Sequence, residues 1–285
     1  MSYNYSHHKH RSKFKKWLDN NRKLIVIPII LFIFLLAFIV DRINKTNATI
    51  DDTPEIIVDE DKNYEAIITV VDGEGESTFT EVWGELIKEG YPICSDLVTD
   101  FVGKDGYMDW ETIEALNDVG VEFVFHSSSH MTYNNAAKEE VIADMERGVK
   151  AMEEHGLDHR MITWISSTKE EYCELGYEYF DGGITDSPSV STRDGNKSNP
   201  MMIADVFGSS DTSYFTFEQL QKLIDEAIVN NGWVVLFTRN NHKMMDDHQI
   251  DIYRQAFEYA KEHNVAVVTA SEGFDLYYGN KLGNN

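Results

Sequence analysis

Two histidines four positions apart, in the stretch VFHSSSHMTY (residues 124–133), stand where an apolar run gives way to small polar residues. His126 and His130 at this spacing share one face of a helical turn, so both rings can be turned toward one ion. A carboxylate is needed beside them. Asp72 ends another apolar run, ITVVDGEG, with Glu74 two residues on. One carboxylate, two imidazoles and an open position match catalytic zinc. Two histidines and a carboxylate also match a non-haem iron triad. The spacing alone does not choose between these and a polar loop that happens to hold two histidines. A third polar group comes from WVVLFTRNNH, which carries Arg239 and His242 just past its apolar run.

What must position these residues is a regular alternation that begins near residue 64. EAIITVV, PICSDLVT, VEFVF, RMITWI, YEYFDGG, PMMIADVF, WVVLFT and VAVVTA read as strands. Between them lie helical patterns. TFTEVWGELIKEG has Thr78 and Glu81 at capping-box spacing, and TFEQLQKLIDEAIVNNG has Thr216 and Gln219. AAKEEVIADMERGVKAMEEHG carries Val141, Met145, Gly148 and Met152 on one stripe and stops at Gly156. Strand alternating with helix implies an α/β domain with parallel strands. Its length of about 220 residues fits a closed or partly closed (β/α) barrel, with chemistry at the C-terminal strand ends. Asp72, His126, Arg239 and His242 all lie at such ends.

The N-terminal part is of another kind. Residues 1–23 hold seven Lys or Arg against one acid, a net +6 in a chain of formal charge −24, so the remainder carries −30. Residues 24–40, LIVIPIILFIFLLAFIV, hold no charge in 17 positions. That is the short end of a membrane-spanning helix. A cleavable signal peptide is the rival, but its apolar core is normally shorter and no A-x-A-like site follows. The basic flank keeps the N-terminus cytoplasmic. The chain thus divides into a basic tail (1–23), a transmembrane anchor (24–40), an acidic linker (41–63) and a domain from 64 to 285, placed outside the cell membrane as a single-pass protein. The lipid bilayer is then a partner through residues 24–40. The acidic domain would repel phosphates, so nucleic acid is excluded as a partner. Cys94 and Cys173 are the two cysteines, and a bridge between them is left open.

The domain resembles the polysaccharide deacetylases, also called the NodB-homology or carbohydrate esterase family 4 domain, over about residues 64–278. TVVDG resembles the TFDDG motif, FHSSSH carries an H-[ST]-x-x-H motif after the matching strand, and GWVVLFT and VAVVTASEGFDLY resemble the closing segments. The resemblance implies a distorted (β/α) barrel and metal-dependent deacetylation of an N-acetylated polysaccharide or peptidoglycan-type glycan. It implies Asp72, His126 and His130 as ligands of one divalent metal, most simply zinc, with Ser127 in support. The general base position holds Val71 and the general acid position holds Arg239, and WISS stands in place of the third motif. Glu74 as base, His242 as acid and Arg239 as an electrostatic group are the replacements within reach. A hydrolase with altered catalysis and a non-catalytic glycan-binding relative are both compatible with this pattern. Trp83, Trp110, Tyr133 and Trp164 are candidates for stacking on sugars.

Overall fold

The computed structural model describes residues 62–166, 169–192, 199–207, 215–239, 246–279 and 282. The basic tail, the apolar run 24–40 and the linker up to residue 61 lie outside them, as does His242. Among the described residues, no helix is long and apolar enough to cross a membrane.

Strand and helix alternate as the sequence pattern requires. The order is β1 (Ala66–Asp72), α1 (Phe79–Lys88), β2 (Cys94–Leu97), α2 (Trp110–Asn117), β3 (Glu122–Phe125), α3 (Lys138–Glu154), β4 (Met161–Thr163), α4 (Glu170–Gly176), β5 (Gly182–Thr185), β6 (Ile203–Phe207), α5 (Phe217–Asn230), β7 (Trp233–Thr238), α6 (Asp247–Glu262), β8 (Val265–Val267) and α7 (Ala270–Tyr278). All strands are parallel neighbours, in the order β2-β3-β4-β5-β6-β7-β1-β8. The ring closes at β1. One edge of β1 runs beside β7, from Ile67 opposite Trp233 to Asp72 opposite Thr238. The other edge is shared: Ala66–Ile68 pair with β8, and Val71 and Asp72 pair with Cys94 and Ser95 of β2. The barrel wall is therefore the strands β1 to β7, and β8 is a wedge at its N-terminal end.

Strands buried on both faces read as unbroken apolar runs, and β1 and β7 show why. Ile67 and Val71 join Val235, Phe237, Val124, Met161, Ile184 and Ile203 in the inner cluster, which Ala270, Leu276 and Tyr277 of α7 extend. Ile68, Val70, Val234 and Leu236 belong to the larger cluster under the helices. The stripe on α3 is buried as its spacing requires, with Val141, Met145, Gly148 and Met152 all turned inward. Gly148 permits the approach: a Cβ there would lie 2.2 Å from the Phe125 ring and 2.7 Å from Ser128 Oγ. The helix cannot lie this close to β3 and its following loop with any larger residue.

Several expectations are corrected. Residues 177–181 of YEYFDGG are not strand; β5 begins at Gly182, where a Cβ would strike the Phe274 ring at 2.6 Å. Thr78 forms no capping box with Glu81. Its backbone is already helical (φ −81°, ψ −6°), so its hydroxyl does not face the first-turn amides. Thr216 and Gln219 do form one. The helix after β7 starts four residues early, because Asp246 caps it by accepting from the Gln249 amide. Cys94 and Cys173 are both buried and both free thiols. Trp83, Tyr133 and Trp164 are core residues, and Trp110 is stacked on His155 at 3.8 Å.

Candidate active site at the mouth of the barrel

His126 directly follows β3, and the alternation that turns Val124 into the barrel turns His126 inward too. Its Nδ1 lies 2.7 Å from the Thr163 carbonyl on β4. A carbonyl can only accept, so Nδ1 carries the proton and the lone pair sits on Nε2. This is the arrangement in which an imidazole is oriented as a ligand. Asp96 Oδ2 of β2 stands 3.2 Å from the same Nδ1, but the two do not form an ion pair. Burial, followed by the charge of His130, pushes the His126 imidazole down to about 3. Burial likewise raises the Asp96 carboxyl well above the usual range.

His130 closes the same loop. Its ring centroid lies 5.2 Å from that of His126. Its Nε2 is sealed from water. Glu74 Oε1 is 3.4 Å from that nitrogen. The contact with His130 holds the Glu74 carboxyl below the usual range, against the opposing effect of burial; Arg239 and His126 act in the same direction as His130.

The loop between the histidines is held in an unfavourable backbone form, with Ser127 at φ 68° and His130 at φ 60°. Non-glycine residues adopt such angles only when the surroundings impose them. The constraint is Asp144, fully buried on α3. Its carboxylate accepts from Ser127 Oγ at 2.7 Å, the Ser128 amide at 2.9 Å, and the Ser129 amide and Oγ at 3.2 and 2.7 Å. Tyr133 OH at 2.8 Å and Arg147 Nη2 at 2.9 Å complete the set. Ser128 Oγ also donates to the Asp144 backbone carbonyl at 2.6 Å. Burial works to raise the Asp144 carboxyl, but the donors outweigh it and hold it below the usual range. The sequence suggested Ser127 as a supporting hydroxyl but not the acid that it supports.

Asp72 sits at the end of β1, on the face opposite Val71. Its Oδ1 accepts from Thr238 Oγ1 at 2.5 Å across the β1–β7 pairing, and its charge adds to burial in raising Tyr253 of α6. Val71 is fully buried in the inner cluster. The chain then turns sharply through Gly73 to Gly75, with Glu74 and Gly75 both at φ 70°, and this turn carries Glu74 over the mouth. Gly73 lies against Arg239, whose Cγ would be 3.4 Å from a Cβ there. Glu74 thus meets His130, His126 lies beside His130, and the charge of Arg239 is felt by Glu74 and His126. Among the described residues, no three His, Cys, Asp or Glu side chains stand together as a group able to hold a metal ion. The expected triad of Asp72, His126 and His130 is not assembled as these side chains stand, although the two imidazoles are suited to an ion.

Asp205 is the other acid the pattern missed. It lies on β6 at 2% exposure. Burial, and then the charge of Asp186, pushes its carboxyl up to about 7. The signal was present in the sequence: an acid inside an apolar strand run, IADVF, as in CSDL for Asp96. Such residues are almost never fully buried without a specific reason.

Residues 43–172 match the polysaccharide deacetylase family model. This segment contains Asp72, Glu74, both histidines and Asp144, and ends in α4, so Arg239 and Asp205 lie beyond it. A search of the curated proteins finds no match. Among solved structures, a putative polysaccharide deacetylase from Mycobacterium smegmatis superposes with a TM-score of 0.56 at 13% identity, over 82% of this chain and 97% of that one. Puue allantoinase does so with a TM-score of 0.53 at 12% identity, over 76% and 91%. At these identities the likeness is one of fold. The Streptococcus pyogenes deacetylase PplD is matched with a TM-score of 0.45 at 12% identity, over 48% of this chain; the chain spans 62% of its length. The segment matched by the family model holds both histidines, His126 and His130.

Two measurements test the buried acids. Replacing Asp144 by Ala strands several donors in a buried site and should cost about 3–5 kcal/mol in chemical unfolding. Replacement of the exposed Asp100, which also meets Arg147, should change stability by under about 1 kcal/mol. Equal effects at the two positions would refute the role given to Asp144. For Asp205, the usual carboxylate value is about 4 and the folded value about 7. Between these the folded chain keeps a proton that the unfolded chain has released, so stability falls as pH rises through that window. Asp205→Asn should flatten the dependence of Tm on pH between about 4 and 7 and raise Tm at pH 8 above that of the unmodified chain. An unchanged slope would show that Asp205 is not held protonated.

Proposed function

We propose that this protein is a metal-dependent hydrolase of the polysaccharide deacetylase type, tethered to the membrane by residues 24–40, with weak catalysis on the N-acetyl groups of a cell-surface glycan. The observation that carries the reading is the pair His126 and His130 at a barrel mouth, in a loop imposed by Asp144 and within the family-matched segment. A divalent ion, most simply zinc, would be held by the two imidazoles and a carboxylate. It would polarise the amide carbonyl and activate water. The chain's own residues do the rest. Thr163 fixes the tautomer of His126. Arg239 brings a cation close enough to be felt by Glu74 and His126, and such a cation stabilises an oxyanion developing in a closed site.

Weak turnover follows from what is lacking. A single general acid or base contributes roughly a factor of 10² to 10⁴. Val71 stands in the matching base position, packed and apolar. Arg239 stands in the acid position and cannot donate a proton at neutral pH. The same two observations favour the second reading, a glycan-binding relative that no longer turns over.

Acetate release from N-acetylglucosamine polymers and peptidoglycan fragments separates these readings. The unmodified chain should release acetate slowly, and Val71→Asp with Arg239→His should raise the rate at least about tenfold. Circular dichroism must accompany this, because a buried unpaired Asp is costly. Glycan binding with no acetate from any form would favour the binding reading. Turnover at an ordinary enzyme rate by the unmodified chain would overturn the idea of weakened catalysis. The tether has its own test. Protease added to intact cells should remove the barrel domain and spare the N-terminus, and a domain cut only after lysis would reject the outward placement.

A further inference from the structure

We infer that Phe101 and Tyr107, on the loop that joins β2 to α2, form a platform at the barrel mouth for one pyranose ring of the glycan, the ring next to the sugar whose N-acetyl group faces the histidines. This deepens the glycan reading above and rests on it. The loop is built into the site from both sides. The Asp100 amide donates to the Ser128 carbonyl at 2.8 Å, within the histidine loop. The Met108 amide donates to the Gly75 carbonyl and the Ser77 amide to the Gly106 carbonyl, each at 3.0 Å, on and just after the Glu74 turn. Glu76 and Tyr107 form an antiparallel bridge between the same two segments. Whatever the loop carries is therefore held in place relative to Glu74 and His130. A contact surface fixed in this way binds with little ordering cost.

The loop carries two rings. Phe101 and Tyr107 lie with centroids 4.8 Å apart and planes inclined by 51°. The Phe101 centroid is 6.0 Å from that of His130. Burial, then the charges of Glu74 and Glu76, raise the Tyr107 hydroxyl above its usual range, which places that ring beside the acids of the turn. Both aromatics are half-buried and belong to neither apolar cluster of the barrel. Core packing therefore does not account for them, whereas Trp83, Tyr133 and Trp164 are taken up by the core and Trp110 by His155. The Phe101 face is reachable from solvent, since the exposed Lys104 lays its Nζ over it, 5.2 Å from the centroid. A contact of that kind at an exposed site is weak and readily exchanged. A pyranose presents C–H bonds on its ring faces, and their partial positive charge suits the negative face of an aromatic ring. The platform stands beside His130 and not over it, so the sugar it takes is the neighbour of the reacting one.

The test is binding of an N-acetylglucosamine tetramer by the purified full-length chain, read by calorimetry, with the monomer as comparison. Phe101→Leu and Tyr107→Leu keep apolar bulk and remove the ring. Each should weaken tetramer binding at least about fivefold and monomer binding by less than about twofold. Phe101→Trp, which keeps an aromatic face, should stay within about threefold of the unmodified chain. Tyr177→Leu alters an exposed aromatic between α4 and β5, at the opposite end of the barrel, and should change neither affinity. Unchanged tetramer affinity in folded Phe101→Leu and Tyr107→Leu would overturn the platform and leave the glycan reading standing. An equal loss for monomer and tetramer would place the rings over the reacting sugar and reject the assignment to its neighbour. Should Phe101→Leu fail to fold, Tyr107→Leu decides on the same terms. An unmodified chain that neither binds the tetramer nor releases acetate from it would sink the glycan reading and the platform with it.

Discussion

One buried carboxylate organises the functional end of this barrel. Asp144 collects donors from Ser127, Ser128, Ser129, Tyr133 and Arg147. The 126–130 loop wraps that charge and bears two residues at positive φ, Ser127 and His130. The rest follows from it. The helix that carries Asp144 must lie close to β3, so it needs Gly148 where the Phe125 ring and Ser128 would otherwise collide with a side chain. Once the loop is set, His126 is placed under Thr163 and His130 under Glu74. The site is not a loop decorated with histidines. It is the surface of a polar knot whose centre is on the neighbouring helix.

The fold was largely legible in the sequence because alternation depends on local periodicity and apolar content, which need no knowledge of contacts. WVVLFT is strand to the residue, and the α3 stripe is buried as its spacing demands. Where the reading went wrong, a non-local fact decided. The segment 177–181 has the aromatic content of a strand, yet the partner of β4 is the pair Gly182 and Gly183, which alone can approach Phe274 and Trp164. Thr78 and Thr216 look alike as caps, but only Thr216 has the extended backbone that turns its oxygen to the first turn. The histidine pair was visible as a motif. Asp144 was not, because a helical Asp between Ala143 and Met145 looks like any solvated acid until the loop that buries it is known. Asp96 and Asp205 carried a signal, being acids inside apolar runs.

A barrel of this kind specifies where chemistry can happen, not which chemistry. The same architecture superposes on a deacetylase and on an allantoinase at similar, low identity. What individualises this chain is the electrostatic character of its mouth. Burial raises the carboxyls of Asp96 and Asp205 and lowers the His126 imidazole, and Arg239 lies against the Gly73 end of the Glu74 turn.

The shared edge of β1 has a consequence for how the chain is made. β1 is the first of the described strands to leave the ribosome, yet its partners β7 and β8 are the last of them, at residues 233–238 and 265–267. Until then one edge is open for its whole length, and the other is covered only where β2 reaches it at Val71 and Asp72. Such long-range pairing slows folding, and an exposed apolar edge invites association with other chains. A nascent chain stalled before residue 233 therefore carries every residue of the Glu74–His130 pairing but lacks the seam that holds β1 in register, and it is the form of this protein most in need of a chaperone.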